Sequence, residues 1–270
     1  MKIFGKAFLI SAAILMSVAL IAALYLTAGK RYTGAHDNIV KGYIPTKEES
    51  LNILAVFIKS GDKSPEAICI IRFDAEKARI PVLVLPNNMN MSVGKKIESL
   101  EKTYKNGGIK KLKRGIKETL GVNIDRYIVC KTGYLSEITD RLGEVEVEFK
   151  ADRTIDGKRY ISGAHIGGQE VAAALEGDDH EVAAEVICSY INSFFEEILC
   201  EGDQSEIKDM IYNTVNDFSY NDFEKYYEAA QFLNSIKNKP ALALRPAVTE
   251  VGENCALIEE SAEYIRKFFE

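Results

Sequence analysis

Several short stretches carry residue types that could do chemistry. In VLVLPNNMNM (82–91) an apolar run breaks at Pro86 into Asn87 and Asn88. A strand that ends in a polar loop is a common seat of function in α/β proteins, yet two asparagines offer hydrogen bonds without charge. Glu176, Asp178 and Asp179 gather three carboxylates in one short segment, which suits either a divalent cation or a solvated turn. In CIIRFD, Arg72 sets a guanidinium inside an apolar strand, as an inward phosphate ligand or as a surface residue of an edge strand. The pair Gly107–Gly108 precedes the basic run IKKLKRGIK. There a helix amino terminus could hold phosphate through its free N–H groups, although a solvated basic face is the plainer reading.

Other chemistries find little support. The five cysteines (Cys69, Cys130, Cys188, Cys200, Cys255) and three histidines (His36, His165, His180) are scattered, without C-x-x-C or ligand spacing. Cys69, Cys130 and Cys188 sit in apolar runs and read as small buried hydrophobes. Neither a phosphate-binding G-x-x-x-x-G-K-[ST] loop nor a G-x-S-x-G elbow occurs.

The elements that must position these residues follow from hydrophobic period. LNILAVFI (51–58), EAICIIRF (66–73) and RIPVLVLP (79–86) read as three buried strands with connections short enough for antiparallel neighbours. In GGIKKLKRGIKETLG, Ile109, Leu112, Ile116 and Leu120 share one face and Gly121 is a natural stop. VNIDRYIVCK is then strand-like, YLSEITDRLG a short helix closed by Gly143, and EVEVEF an alternating strand. Helices follow at 167–177, 180–200, about 204–217 and 221–236. The chain then returns to ALALRPAVTEV as a strand or two and closes on the helix EESAEYIRKFFE. The sum is an α/β (α+β) sandwich, a central mixed β-sheet flanked by helices.

Ahead of it, residues 7–29 hold 23 positions without a charge. At about 1.5 Å per residue they span roughly 35 Å, enough to cross a bilayer. A cleaved signal peptide competes, but its apolar region is usually shorter, so the expectation is an uncleaved single-pass anchor. The organisation expected is a cytoplasmic tail (1–6), a transmembrane helix (7–29), a linker (30–48) and an extracytoplasmic domain (49–270), with the amino terminus inside. Removing Lys2 and Lys6 from the formal net charge of −6 leaves −8 from Lys30 onward, an acidic surface that disfavours nucleic acid.

The order of elements resembles the extracytoplasmic domain of the LytR-CpsA-Psr family, also labelled cell envelope-related transcriptional attenuators, over about residues 50–270. The likeness is strongest over 107–149, where the glycine pair, the amphipathic helix, LGVNIDRY and GYLSEITDRLGEVEV follow the family pattern. GGQEVAAAL is similar to its G-x-Q-A-L-A-Y helix and EESAEYIRKFFE to its last helix. The resemblance implies a bacterial envelope protein that moves anionic glycopolymers from a polyprenyl-pyrophosphate carrier onto peptidoglycan. In that chemistry arginines neutralise the pyrophosphate, aspartates hold Mg²⁺ against it, and an apolar tunnel takes the lipid.

The charged motifs depart from that pattern. The family's I-P-R-D falls on Leu85, Pro86, Asn87 and Asn88. Its R-S-D-T falls on KSPEA, where Glu66 stands in for the aspartate, as a candidate metal ligand, and Ser64 for the arginine, with Lys63 beside it. Its Y-x-R-x-R falls on Ala174, Leu175, Glu176, Gly177 and Asp178. The expectation is a catalytically degenerate relative that binds a polyprenyl lipid or cell-wall glycopolymer. Two alternatives stand: an active phosphotransferase using Mg²⁺ and relocated groups such as Lys63, Glu66, Arg72, Lys95 or Lys96, or an anchored ectodomain of unrelated activity.

Overall fold

The computed structural model describes residues 43–59, 61–201, 212–218, 220–236 and 239–270. The expected membrane span at 7–29 and most of the linker lie outside them; no helix among the described residues is long and apolar enough to cross a membrane.

A single 3-10 turn (Lys47–Glu49) leads into β1 (Leu51–Ile58), β2 (Pro65–Phe73) and β3 (Ile80–Leu85). Then come the hairpin β4 (Asn90–Val93) and β5 (Lys96–Ser99), helix α1 (Leu100–Leu120), β6 (Arg126–Lys131), α2 (Thr132–Leu142) and β7 (Val145–Val147). A second hairpin, β8 (Arg153–Ile155) with β9 (Lys158–Tyr160), precedes β10 (Ala164–Ile166), α3 (Gly168–Glu176) and α4 (His180–Glu201). The chain ends with β11 (Val215–Asn216), α5 (Tyr220–Ile236), β12 (Ala241–Ala243), β13 (Val248–Val251), β14 (Asn254–Leu257) and α6 (Glu259–Phe269).

The main sheet has the order β11-β6-β1-β2-β3-β12. β1, β2 and β3 are consecutive antiparallel neighbours, as their short connections predict, while β6 runs parallel to β1 and β12 parallel to β3. The sheet is therefore mixed. It is apolar on both sides because both sides are covered. Successive side chains alternate between faces: Ile53, Ala55 and Phe57 enter a core with α2, α3, α4 and α5, while Leu54 and Val56 enter a second core with α1, β4 and α6. The cysteines Cys69, Cys130 and Cys188 are buried in the first core and burial pushes their thiols up, as expected of small hydrophobes.

Two elements differ from expectation. The amphipathic helix begins at Leu100 rather than at Gly107: Ser99 Oγ accepts from the N–H of Lys102 at 3.3 Å, and the helix breaks at Gly108 (φ 58°, ψ −155°) before continuing. Its Leu112, Ile116 and Leu120 are buried and Gly121, at φ 76°, caps it, as predicted. The helix expected at about 204–217 ends instead as β11, which pairs Val215 with Val129 of β6 and covers that strand's outer edge; residues 202–211 lie outside the described set.

Candidate functional site

Sheet direction decides which candidate residues meet. β1, β3 and β6 all run the same way and β2 runs against them. The carboxyl ends of the first three and the start of β2 therefore share one end of the sheet, the usual place for a binding crevice in α/β folds. Lys59 follows β1, Pro65 and Glu66 open β2, Asn87 follows β3, and Thr132 opens α2 directly after β6. The last residue of α3, Glu176, reaches the same end and completes the candidate cleft: it accepts from Lys59 Nζ at 2.5 Å and from Thr132 Oγ1 at 2.7 Å.

Three of the expected site residues, Glu66, Asn87 and Glu176, thus come together. Asn87 is a structural tie within the cleft. Its Nδ2 donates to the carbonyls of Glu66 (2.7 Å) and Pro65 (3.2 Å), while its buried Oδ1 has no partner. Glu66 titrates above the usual carboxylate range, first because it is half-buried and then because Glu176 repels its charge. Burial also opposes ionisation of Glu176, but the hydrogen bonds from Lys59 and Thr132 outweigh it and hold that carboxyl low. Lys59 and Thr132 are site residues that hydrophobic period does not reveal. The signal for Lys59 is its place as the first charge past a buried strand.

The remaining candidates lie elsewhere. Asn88 turns away to the β13–β14 hairpin, where its Nδ2 donates to Glu253 O at 3.3 Å and its Oδ1 accepts from Cys255 Sγ at 3.4 Å. Lys63 is exposed and its N–H donates to Asp62 Oδ1 at 2.6 Å. Lys95 and Lys96 are exposed at the tip of the β4–β5 hairpin. Asp178 is exposed on the loop after α3, and Asp179 caps α4 by accepting from the N–H groups of Glu181 and Val182.

Arg72 stands at the opposite end of β2. It is 5% exposed and Nη1 donates to Asn52 Oδ1 (3.0 Å) and to Phe269 O (3.1 Å) at the end of α6. A cation there complements the helix dipole. Arg72 is thus neither on an edge strand nor at the cleft: β2 is central and some 20 Å of strand separates it from Glu66.

Two glycine pairs precede helices in the sequence, Gly107–Gly108 and Gly167–Gly168, and they resolve differently from one another. Gly168 opens α3 so close to α2 that an added Cβ would meet Ser136 O at 2.2 Å, and its N–H donates to Asp140 Oδ1 at 2.9 Å. A carboxylate already fills that helix terminus. Gly107 and Gly108 mark the break in α1.

Magnesium is commonly held by one or two carboxylates together with substrate phosphates. Here both oxygens of Glu176 are engaged, leaving Glu66 as the carboxylate to spare, and no group of three or more acidic, histidine or cysteine side chains gathers among the described residues. The arrangement offers hydrogen-bond donors and a lysine already paired with Glu176 rather than a cationic clamp.

No family model and no curated protein matches the chain. Solved structures do. A protein of Eubacterium siraeum DSM 15702 described as a transcription regulator aligns with a TM-score of 0.68 at 15% identity, covering 88% of this chain and 97% of that one. TagT bound to LIIa-WTA aligns at 0.63 with 17% identity over 87% and 98%. TagV of B. subtilis aligns at 0.62 with 14% identity over 83% and 97%. At such identities the likeness concerns architecture, and it spans nearly the whole of each relative: the chain has the fold of the TagT and TagV structures.

Proposed function

We propose that this chain is a cell-envelope protein, anchored through residues 7–29 with its domain outside. In this reading the cleft takes a lipid-linked, phosphate-bearing glycopolymer and does not perform the family's phosphotransfer. The shared fold with TagT, which is described bound to LIIa-WTA, supports the class of ligand. The state of the cleft carries the second half. Asn87 occupies the position where the LytR-CpsA-Psr pattern has arginine, and its amide is spent on two backbone carbonyls. Glu176, where that pattern has another arginine, is a carboxylate held ionised by Lys59.

Transfer of a pyrophosphate-linked polymer develops negative charge on the phosphate oxygens, and stabilising it takes cations aimed at them. Lys59, the lysine bonded to a site carboxylate, is 59% exposed and paired with Glu176, and is a small fraction of such a clamp. An active transferase built from relocated charges is the second reading, and Lys59 is the observation in its favour. Incubating the full chain with polyprenyl-linked glycopolymer, peptidoglycan and Mg²⁺ separates them. The degenerate reading expects polymer to be retained and none to become covalently attached; attachment that Lys59→Gln abolishes would establish the enzyme.

A further inference from the structure

The basic residues are strongly segregated. Residues 94–118 hold nine lysines and arginines against three glutamates, a local charge of +6, in a chain whose portion from Lys30 onward carries −8; the remainder of that portion is therefore −14. Folding concentrates the segment further, because the β4–β5 hairpin packs on α1. Between them lies an open groove of about 400 Å³ whose lining includes Lys96, Glu98, Gly107, Lys110, Lys111 and Arg114.

Two of these cations are neutralised, Lys111 by Glu98 at 2.6 Å and Arg114 by Glu118 at 2.7 Å. Lys96 and Lys110, with Lys95 at the hairpin tip, make no ion pair within 4 Å among the described residues. The backbone adds to the field. α1 breaks at Gly108 and restarts at Ile109, so the first turn of the new segment, bearing Lys110 and Lys111, borders the groove with its positive dipole end.

α1 also joins this groove to the cleft. At its start the Glu101 N–H donates to Asn87 O at 2.9 Å, and Lys105 lies within the field of Glu66. From Glu101 to Gly107 the helix rises only about 9 Å. A chain leaving the cleft along α1 therefore has a short path to the groove.

We propose that this groove is an auxiliary site for a polyanion, holding phosphodiester groups of the glycopolymer whose lipid-linked end occupies the cleft; the inference rests on the proposed reading of that cleft. Mobile lysines act as point charges and tolerate variable phosphate spacing, unlike the rigid fork of arginine. The acidity of the surrounding surface confines a polyanion to this groove, and the glycopolymer is favoured over nucleic acid because, in the proposed reading, its lipid-linked end is held in the neighbouring cleft.

The test uses the full chain in neutral detergent with a fluorescent poly(glycerol phosphate) oligomer, followed by anisotropy at about 50 and 300 mM salt, on either side of the usual screening range. Binding that weakens with salt and falls at least about tenfold in Lys95→Gln/Lys96→Gln/Lys110→Gln, while Lys158→Gln, exposed on the β8–β9 hairpin and paired with Glu170, binds as the parent, is the expected result. Equal binding by the triple variant overturns the proposal. So does tighter binding of a single-stranded oligonucleotide of equal charge, or full displacement by an equal concentration of inorganic phosphate. A polyprenyl-pyrophosphate titration of the same proteins keeps the two readings apart: oligomer binding without lipid binding sinks the cleft and leaves the groove, and the reverse sinks the groove alone.

Discussion

The Asn87 side chain donates to the backbone carbonyl of Glu66 at 2.7 Å and to that of Pro65 at 3.2 Å, so the loop after β3 is stitched to the first residues of β2. The same amide cannot also donate to a ligand phosphate without giving up those bonds. Asn87→Ala leaves two carbonyls short of a donor and should cost about 1–2 kcal/mol in urea unfolding, with an unchanged m-value.

Placing the residues of the LytR-CpsA-Psr pattern at this one loop should not produce transfer. Asn87→Arg with Asn88→Asp places the arginine beside Glu66 but sends the aspartate toward Glu253 and Cys255, where Asn88 now points. Glu176 and Asp178 would keep their acidic character. The assay is polymer attachment to peptidoglycan, and the expected product is none.

Glu66 and Glu176 oppose each other in their dependence on pH. The folded-state pKa of Glu66 is raised by burial and by Glu176, so the native state holds its proton more tightly than the unfolded chain. That contribution is fully present below the ordinary glutamate range and is lost as pH rises through the raised value. The Glu176 pKa is lowered, so its contribution is present above the ordinary range and lost as pH falls. Glu66→Gln should therefore raise Tm at pH 7 and lose that advantage near pH 4. A Tm change that is the same at both pH values would contradict the assignment.

At the far end of the sheet, Arg72 holds α6 through Asn52 and Phe269. Arg72→Met keeps much of the volume and removes the donors, leaving Asn52 Oδ1 short of a partner inside the protein. A loss of about 2–4 kcal/mol in unfolding free energy is expected, with no change in ligand response at the cleft.

Close packing of α3 on α2 depends on a missing side chain. In Gly168→Ala the new methyl would sit 2.2 Å from Ser136 O, so the two helices must separate. The variant should lose about 1–3 kcal/mol. Because Glu176 ends the displaced helix and Thr132 begins the other, its response to ligand at the cleft should weaken as well.

The scaffold was legible where burial is simple. β1, β2 and β3 are apolar on both faces, and α1 shows its core stripe at Ile109, Leu112, Ile116 and Leu120. The early start of α1 was not, because Leu100 is followed by the polar run EKTYKNGG, and a glycine pair reads as a beginning rather than a break. The β8–β9 hairpin turns on Asp156–Gly157, both at positive φ. An Asp-Gly turn is a strong local signal that a reading by hydrophobic period passes over, because the flanking strands are only three residues long. Long-range partners were beyond reach. Glu176 meets Lys59 across 117 positions and Arg72 meets Phe269 across 197, so the surroundings of these charges come from topology rather than from any local spacing.

The most direct test of the central claim is a thermal-shift titration of the full chain in detergent with short-chain polyprenyl pyrophosphate, with and without Mg²⁺. The account predicts a saturable rise in Tm that is the same in both conditions, because ligand binding stabilises the native state and both oxygens of Glu176 are already engaged by Lys59 and Thr132. A rise that appears only with Mg²⁺ would mean that a charged, metal-assisted site has been rebuilt from other residues, and the absence of any rise would remove the ligand from the cleft altogether.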